Sequence, residues 1–351
     1  MNKPLIILYC VGVALAASAQ DWPPSDSKSH TWRFEKINPD DDWTRHFRIG
    51  SLVGMNIKAN FKMTGQFDIS GNNPAAGIYD DGYVHVDNTG DPDGTTTYWG
   101  YDSANQISGS TLLMHSASSF STTGNASGQD APYVGFDLAY GDTYWYWAGA
   151  KIGWEFGFDL LPIYITDNQP MAATVNRSIY SFDTGGIVLP NAPYSGGPSG
   201  GGAPTISDTP NPVIGTDTIN GIVTGRRALD VMLYSFRLGP SFYWNLGQYF
   251  GFYAGGGPAI GLVSGKLDYD ETILLDDGTS AHNVGHINAT KLTYGGYVNA
   301  TFVFHATDGG DFYLGAQFMP MQDVSISGAG REGKLNLSGQ VYFTAGINWP
   351  F

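Results

Sequence analysis

Residues 148–160 read Ala-Gly-Ala-Lys-Ile-Gly-Trp-Glu-Phe-Gly-Phe-Asp-Leu. Ala148, Ala150, Ile152, Trp154, Phe156, Phe158 and Leu160 form one row; Gly149, Lys151, Gly153, Glu155, Gly157 and Asp159 form the other. Successive strand side chains point to opposite faces, so the pattern predicts a strand over 146–162 with one greasy face and one small or charged face. Ordinary strands run for about 5–6 residues. A longer one, bulky outside and polar inside, suits a closed barrel in lipid with a narrow polar bore.

The same period recurs over about 47–63, 131–140, 229–245, 249–267, 287–305, 311–320 and 335–351, giving an all-β, up-and-down antiparallel barrel of about eight strands. Over 47–63 one face carries Phe47, Ile49, Val53, Met55, Ile57, Ala59 and Phe61, and the other carries Arg48, Lys58 and Lys62. The 249–267 stretch alternates least, and Pro258 there removes a ladder donor, which predicts a bulge or a bend. Turn residues stand at Gly141-Asp142-Thr143, Leu246-Gly247-Gln248 and Asp308-Gly309-Gly310. The other connections, 64–130, 163–228, 268–286 and 321–334, are long. Short turns at one end and long loops at the other place the long loops outside the cell and the turns in the periplasm. Segments 78–86 and 95–101 could pair as a hairpin above the membrane, and the Gly/Pro/Ser-rich run 190–204 predicts irregular chain.

Residues 1–19 have the form of a cleaved signal peptide, with Lys3, an apolar run from Leu5 to Ala16 and Ala17-Ser18-Ala19. Residues 20–46, with Trp22, Trp32, Trp43 and Asp40-Asp41-Asp42, would be a periplasmic lead-in, and the barrel would occupy 47–351. The single cysteine, Cys10, lies within the leader, which excludes disulfides, thiolate metal sites and thiol catalysis from the mature chain. Charged residues are 14% and the net charge is −15, which argues against nucleic acid as a partner. Rings flank the turns: Tyr144, Trp145, Trp147, Phe242, Trp244, Tyr249 and Phe312 are placed as an aromatic girdle at the headgroup level.

The final stretch, 340–351 (Gln-Val-Tyr-Phe-Thr-Ala-Gly-Ile-Asn-Trp-Pro-Phe), resembles the last strand of small, eight-stranded bacterial outer-membrane barrel proteins. Val341, Phe343, Ala345, Ile347, Trp349 and the terminal Phe351 carry the alternation, with Pro350 a departure from it. The resemblance implies an outer-membrane location, a surrounding lipid bilayer, and recognition of this strand by the barrel-assembly machinery.

The bore would hold Arg48, Lys58, Asp137, Lys151, Glu155, Asp159, Arg237 and His305. Eight strands leave room only for side chains, so these charges should pair, with Glu155 and Arg237 as partners. Asp87, Asp91 and Asp93 could wrap calcium, although the EF-hand spacing fails at Thr89 and Gly100 stands where the closing Glu belongs. Acidic loops could also hold bridging divalent cations; no other cofactor is implied. His85, His115, His282 and His286 could serve a rim enzyme acting on lipid or peptide, but no nucleophile elbow or zinc motif accompanies them. His282 and His286 would share a face on a helix, whereas their segment reads as loop. The reading is a non-enzymatic surface barrel whose acidic loops contact an extracellular ligand or surface. The alternative is a porin-like channel or transporter for small solutes.

Overall fold

The computed structural model describes residues 34–38, 43–65, 73–86, 94–123, 126–127, 132–198, 203–211, 215–307 and 310–351. Among them the chain is nearly all β, with two single-turn 3-10 helices at Pro74–Ala76 and Ala104–Gln106. Among the described residues no helix is long and apolar enough to cross a membrane. Thirteen strands build the wall: β1 Arg45–Met55, β2 Lys58–Gly65, β3 Thr111–Thr123, β4 Tyr133–Trp147, β5 Ala150–Asp167, β6 Met171–Asp183, β7 Gly215–Asn245, β8 Phe250–Leu275, β9 Ser280–Thr307, β10 Gly310–Phe318, β11 Val324–Gly328, β12 Arg331–Asn336 and β13 Val341–Pro350.

At the end carrying the short turns, antiparallel pairing runs β1–β4–β5–β7–β8–β9–β10–β13 and returns to β1. Above it the order repeats with shorter pieces. β2, β3, β6, β11 and β12 carry on from β1, β4, β5, β10 and β13, while β7, β8 and β9 run through both storeys. Closure is uneven: β11 pairs in the ladder only with β12 and meets β9 through side-chain packing such as Ile287 beside Gly328, while the segment before it makes the Gly295–Met321 bridge.

The two storeys have opposite polarity. In the lower storey Phe302, Phe312, Leu314 and Phe343 face outward and are 46–60% exposed, while Arg48, Glu155, Asp159 and Arg237 face the bore and are at most 3% exposed. In the upper storey Leu161, Ile163, Leu229, Val231 and Val263 fill the bore and Lys58, Asp230, Lys266 and Asn288 face outward. β7 crosses the boundary unbroken. Its outward row is Trp244, Phe242, Pro240, Leu238, Phe236, Tyr234 and Met232 below, then Asp230, Arg226 and Thr224 above, with the small Ala228 covered between them. The apolar stretch 232–244 measures about 43 Å along the strand and, at a tilt of about 45°, about 30 Å along the axis.

Several sequence expectations change here. The 47–63 row does not stay on one face. Asn56 (φ 60°) breaks the strand, so Val53 and Met55 face out while Leu52, Ile57, Ala59 and Phe61 face in. Lys58 therefore lies outside the bore. Gly141-Asp142-Thr143 is not a turn: β4 continues through it, Gly141 making room for His46, and the chain reverses at Ala148-Gly149, both at positive φ as a two-residue hairpin requires. Pro258 makes no bulge, because the β7–β8 ladder lapses over 238–240 and resumes in the same register. The segments taken as loops 64–130, 163–228, 268–286 and 321–334 carry β3, β6, the upper halves of β7, β8 and β9, and the β11–β12 hairpin. Their outward residues are largely polar, so the apolar outer row of the lower storey does not continue along them.

Candidate functional site

The bore of the lower storey is an ion-pair plug. Arg48 from β1 and Glu155 from β5 pair directly, and His46 Nε2 lies 3.2 Å from the same carboxylate. One step higher, Arg237 donates to Asp159 at 2.5 Å and to Asp137 at 2.7 Å. Tyr313 donates to Asp137 at 2.9 Å and Gln317 to Asp159 at 3.4 Å. A side chain at Gly157, Arg237's partner across the ladder, would overlap the guanidinium, so glycine lets the arginine lie against the wall. At the foot Lys151 donates to the Trp43 carbonyl at 3.0 Å and sits 3.4 Å above the Trp43 ring. The lead-in thus closes the bottom, and Glu35–Lys36 pairs with β4. His305, half-buried, bonds Asp311 and Tyr243.

Of the eight expected bore residues, seven converge here and Lys58 does not. The expected Glu155–Arg237 pair does not form: Glu155 faces Gly239, one step along β7, and takes Arg48, leaving Arg237 to the two aspartates. Charges withdrawn from water persist only when paired and hydrogen-bonded, and this geometry pairs them. Apolar side chains then fill the bore above, and the two grooves described, about 610 and 470 Å³, both lie on the outer wall.

A second ionic layer escaped the sequence reading. Arg227 donates to Asp167 at 2.7 Å and to Glu271 at 2.6 Å, and Arg331 reaches Glu271 at 3.3 Å. Its signal is present in the sequence, charges at inward positions of β5, β7 and β8, but those stretches lack the apolar outer row and read as loops.

At the upper mouth Arg177 bridges Asp217 (2.7 Å) and Asp277 (2.8 Å). Beside them the turn Asp80-Asp81 grips β3. Asp81 accepts from the His115 amide at 2.9 Å and lies 2.6 Å from His115 Nδ1, while Asp80 accepts from the Ala117 amide at 2.6 Å. Burial, with Asp81 and Asp277 nearby, raises the Asp80 carboxyl to about 6. The hydrogen bond from Arg177 lowers Asp217.

A folded cap covers one side of the mouth. Ile78–Tyr79, Gly82–Val84, Trp99–Tyr101 and Tyr194–Ser195 form a small sheet, and Thr95–Thr96 pairs Ile206–Ser207. The expected pairing of 78–86 with 95–101 is present. The stretch 190–204 is irregular as expected among its described residues, apart from the short strand Tyr194–Ser195, yet it packs into the cap: the Pro204 carbonyl accepts from Trp99 Nε1 at 2.9 Å; residues 199–202 lie outside the described residues. Trp99, Tyr101, Tyr79 and Ile206 pack with Leu112, Met114 and Phe182 of the wall.

The remaining expected residues are dispersed. His85 is in the cap, 3.0 Å from the Ala76 carbonyl, and His282 pairs with Asp270 at 2.8 Å. His282 and His286 do share the outer face of β9, because four residues is two full periods of a strand. Among the described residues no histidine bonds a Ser or Thr hydroxyl, and no group of three His, Cys, Asp or Glu is poised for a metal. Asp87, Asp91 and Asp93 lie outside the described residues, as do 1–33 and 39–42. Tyr144, Trp145, Tyr249 and Phe312 are exposed, and Trp147, Phe242 and Trp244 partly so, all near the short-turn end. On β13, Phe343, Ala345, Ile347 and Trp349 face outward with Val341, and Phe351 follows, also exposed.

No protein-family model matches the chain, and no curated protein does. Among solved structures it is similar to Ail, the attachment invasion locus protein of Yersinia pestis, at 8% identity over 88% of this chain and 99% of that one, with a TM-score of 0.25. The outer membrane protein OprG from Pseudomonas aeruginosa gives 9% over 88% and 97%, TM-score 0.31. The outer membrane protease OmpT from Escherichia coli gives 11% over 92% and 99%, TM-score 0.28. At these scores no residue role passes from them to this chain.

Proposed function

We propose that the chain is an eight-stranded outer-membrane barrel with a sealed bore, whose upper storey lifts a folded cap clear of the lipid to make surface contacts. The observation that carries this is the reversal of polarity at mid-height. An exposed apolar belt about 30 Å tall belongs in a bilayer of that thickness. An apolar-filled, polar-coated tube continuing above it belongs in water. β13 supplies the strand that assembly machinery reads, and the acidic segment 64–130 is the part offered to divalent cations and to the extracellular partner. The ion-pair plug and the apolar fill favour contact over transport.

The test is twofold. Barrel inserted into planar bilayers should be electrically silent; resolved conductance steps would overturn the sealed bore and favour the channel. Replacing 66–110 and 184–211 by short turns, which spares β3 and β6, should leave a heat-modifiable barrel that no longer adheres to surfaces the intact protein binds. Adhesion that survives would refute the cap's role.

A further inference from the structure

We propose that the Asp80-Asp81 turn is a proton-operated clasp that fastens the cap to the barrel wall and loosens as the surroundings turn from acid to neutral. The turn joins Ile78–Tyr79 to Gly82–Val84, so it belongs to the cap, and the wall residues it bonds here, His115 and Ala117, belong to β3. Four bonds make the clasp. The Asp80 amide donates to the His115 carbonyl at 2.9 Å, the His115 amide to Asp81 at 2.9 Å and the Ala117 amide to Asp80 at 2.6 Å, and His115 Nδ1 meets Asp81 at 2.6 Å. The cap also meets β3 through Gln106, which donates to the Leu113 carbonyl at 3.1 Å, through the pairing of Ile107 and Ser108 with Leu112 and Thr111, and through packing on Leu112 and Met114.

The charges around Asp80 come from every neighbouring element. Asp81 shares its turn, His115 stands on β3, Arg177 on β6, Asp217 on β7 and Asp277 in the β8–β9 turn. Asp102, in the cap, faces Asp81 and is also raised, chiefly by burial. Four further carboxylates besides Asp80 thus stand around the mouth against one arginine already bridging two of them. Protonated, Asp80 sits half-buried at no electrostatic cost. Ionised, it meets Asp81 and Asp277.

The sign follows from the raised value. Between 3.8, the ordinary carboxylate value, and about 6, the docked turn holds more proton than the released one. Docking is therefore strongest below this window, weakens as pH rises through it, and is level above it. From that interval the docking equilibrium should fall about 100-fold between pH 3.5 and pH 7.5. This deepens the contact reading, since it gives the cap two states, but the clasp itself stands or falls independently of what the cap touches.

Hydrogen exchange of the reconstituted full-length barrel reads the clasp directly, through the His115 and Ala117 amides, after correction for intrinsic rates. Their protection should drop as pH rises through about 6, while amides of β7 and β8 hold steady. Asp80→Asn, which keeps the shape and cannot ionise, should hold high protection from pH 4 to 8. Asp277→Asn, which relieves repulsion while leaving the clasp intact, should move the midpoint lower. Protection that is flat with pH in the natural protein, or an unchanged midpoint in both variants, overturns the clasp. Loss of surface adhesion with the pH profile intact would instead count against the cap's role alone.

Discussion

A single arginine carried up the outside of β9 measures where the lipid ends. The outward positions are Phe304, Phe302, Ala300, Val298, Leu292, Thr290 and Asn288. Val298 lies midway along the apolar stretch from Phe304 to Leu292, and six residues on either side at 3.3 Å and about 45° of tilt place those ends about 14 Å away along the axis. That is half a hydrocarbon core of about 30 Å. Val298→Arg should therefore cost about 2–4 kcal/mol, Phe304→Arg and Leu292→Arg about 0–1 kcal/mol for the charge, and Thr290→Arg and Asn288→Arg within about 0.5 kcal/mol. Reversible folding into phosphatidylcholine vesicles, followed by tryptophan emission across a guanidinium series, supplies the free energies. A bell centred on Val298 is expected. A flat series, or a maximum at Thr290, would refute the division into two storeys, because it would mean that the belt is not immersed or that lipid reaches the polar tier.

Three further outcomes follow from the same architecture. Arg237→Leu should cost about 3–5 kcal/mol by stranding Asp137 and Asp159, whereas a triple change of Arg237, Asp137 and Asp159 to apolar residues should recover most of it, as read by the same folding assay; equal damage from both would mean the plug is not an electrostatic unit. Inserting one residue after Asn56 should turn Ile57, Ala59 and Phe61 outward and cost about 4–6 kcal/mol, and inserting two should restore the phase and most of the stability; a two-residue insertion no better than one would dispose of the phase argument. Trp99→Ala should cost the cap about 3–5 kcal/mol of packing and expose 73–110 to limited proteolysis while the barrel stays heat-modifiable; a cap as resistant as before would show that its aromatic core is not what holds it.

What the sequence made legible was the lower storey. There bulky apolar and small or charged residues alternate on β5, β9, β10 and β13, and an exposed apolar outer face against a buried polar bore sharpens the contrast. The upper storey blurred it for a physical reason. Water outside and an apolar fill inside is the ordinary soluble arrangement, and its outward row, such as Asp230, Arg226 and Thr224 on β7, looks like surface loop to an eye searching for lipid. Bore residues were found by inward position, hence seven of eight. Partners were not, because Glu155 and Arg237 are separated by one ladder step that only register decides. The clasp had no signature at all: Asp80-Asp81 and His115 are brought together by the cap's folding, 34 residues apart.

Lys58, the eighth bore candidate, shows how the chain manages the change of solvent. Strands β7, β8 and β9 cross the boundary unbroken and change composition: the outward row turns polar and the inward row turns apolar. The first strand does the reverse. Apart from Leu52, its large apolar residues keep odd numbers from Phe47 through Phe61, so a regular strand would carry Ile57, Ala59 and Phe61 to the outer face. Asn56, at positive φ and donating to the Gly339 carbonyl at 2.6 Å, removes one step of phase instead. Asparagine is among the few residues besides glycine that tolerate that conformation, so the identity at this position follows from the change of solvent outside it. The same face of sequence thus serves lipid below and core above, and one residue performs the exchange.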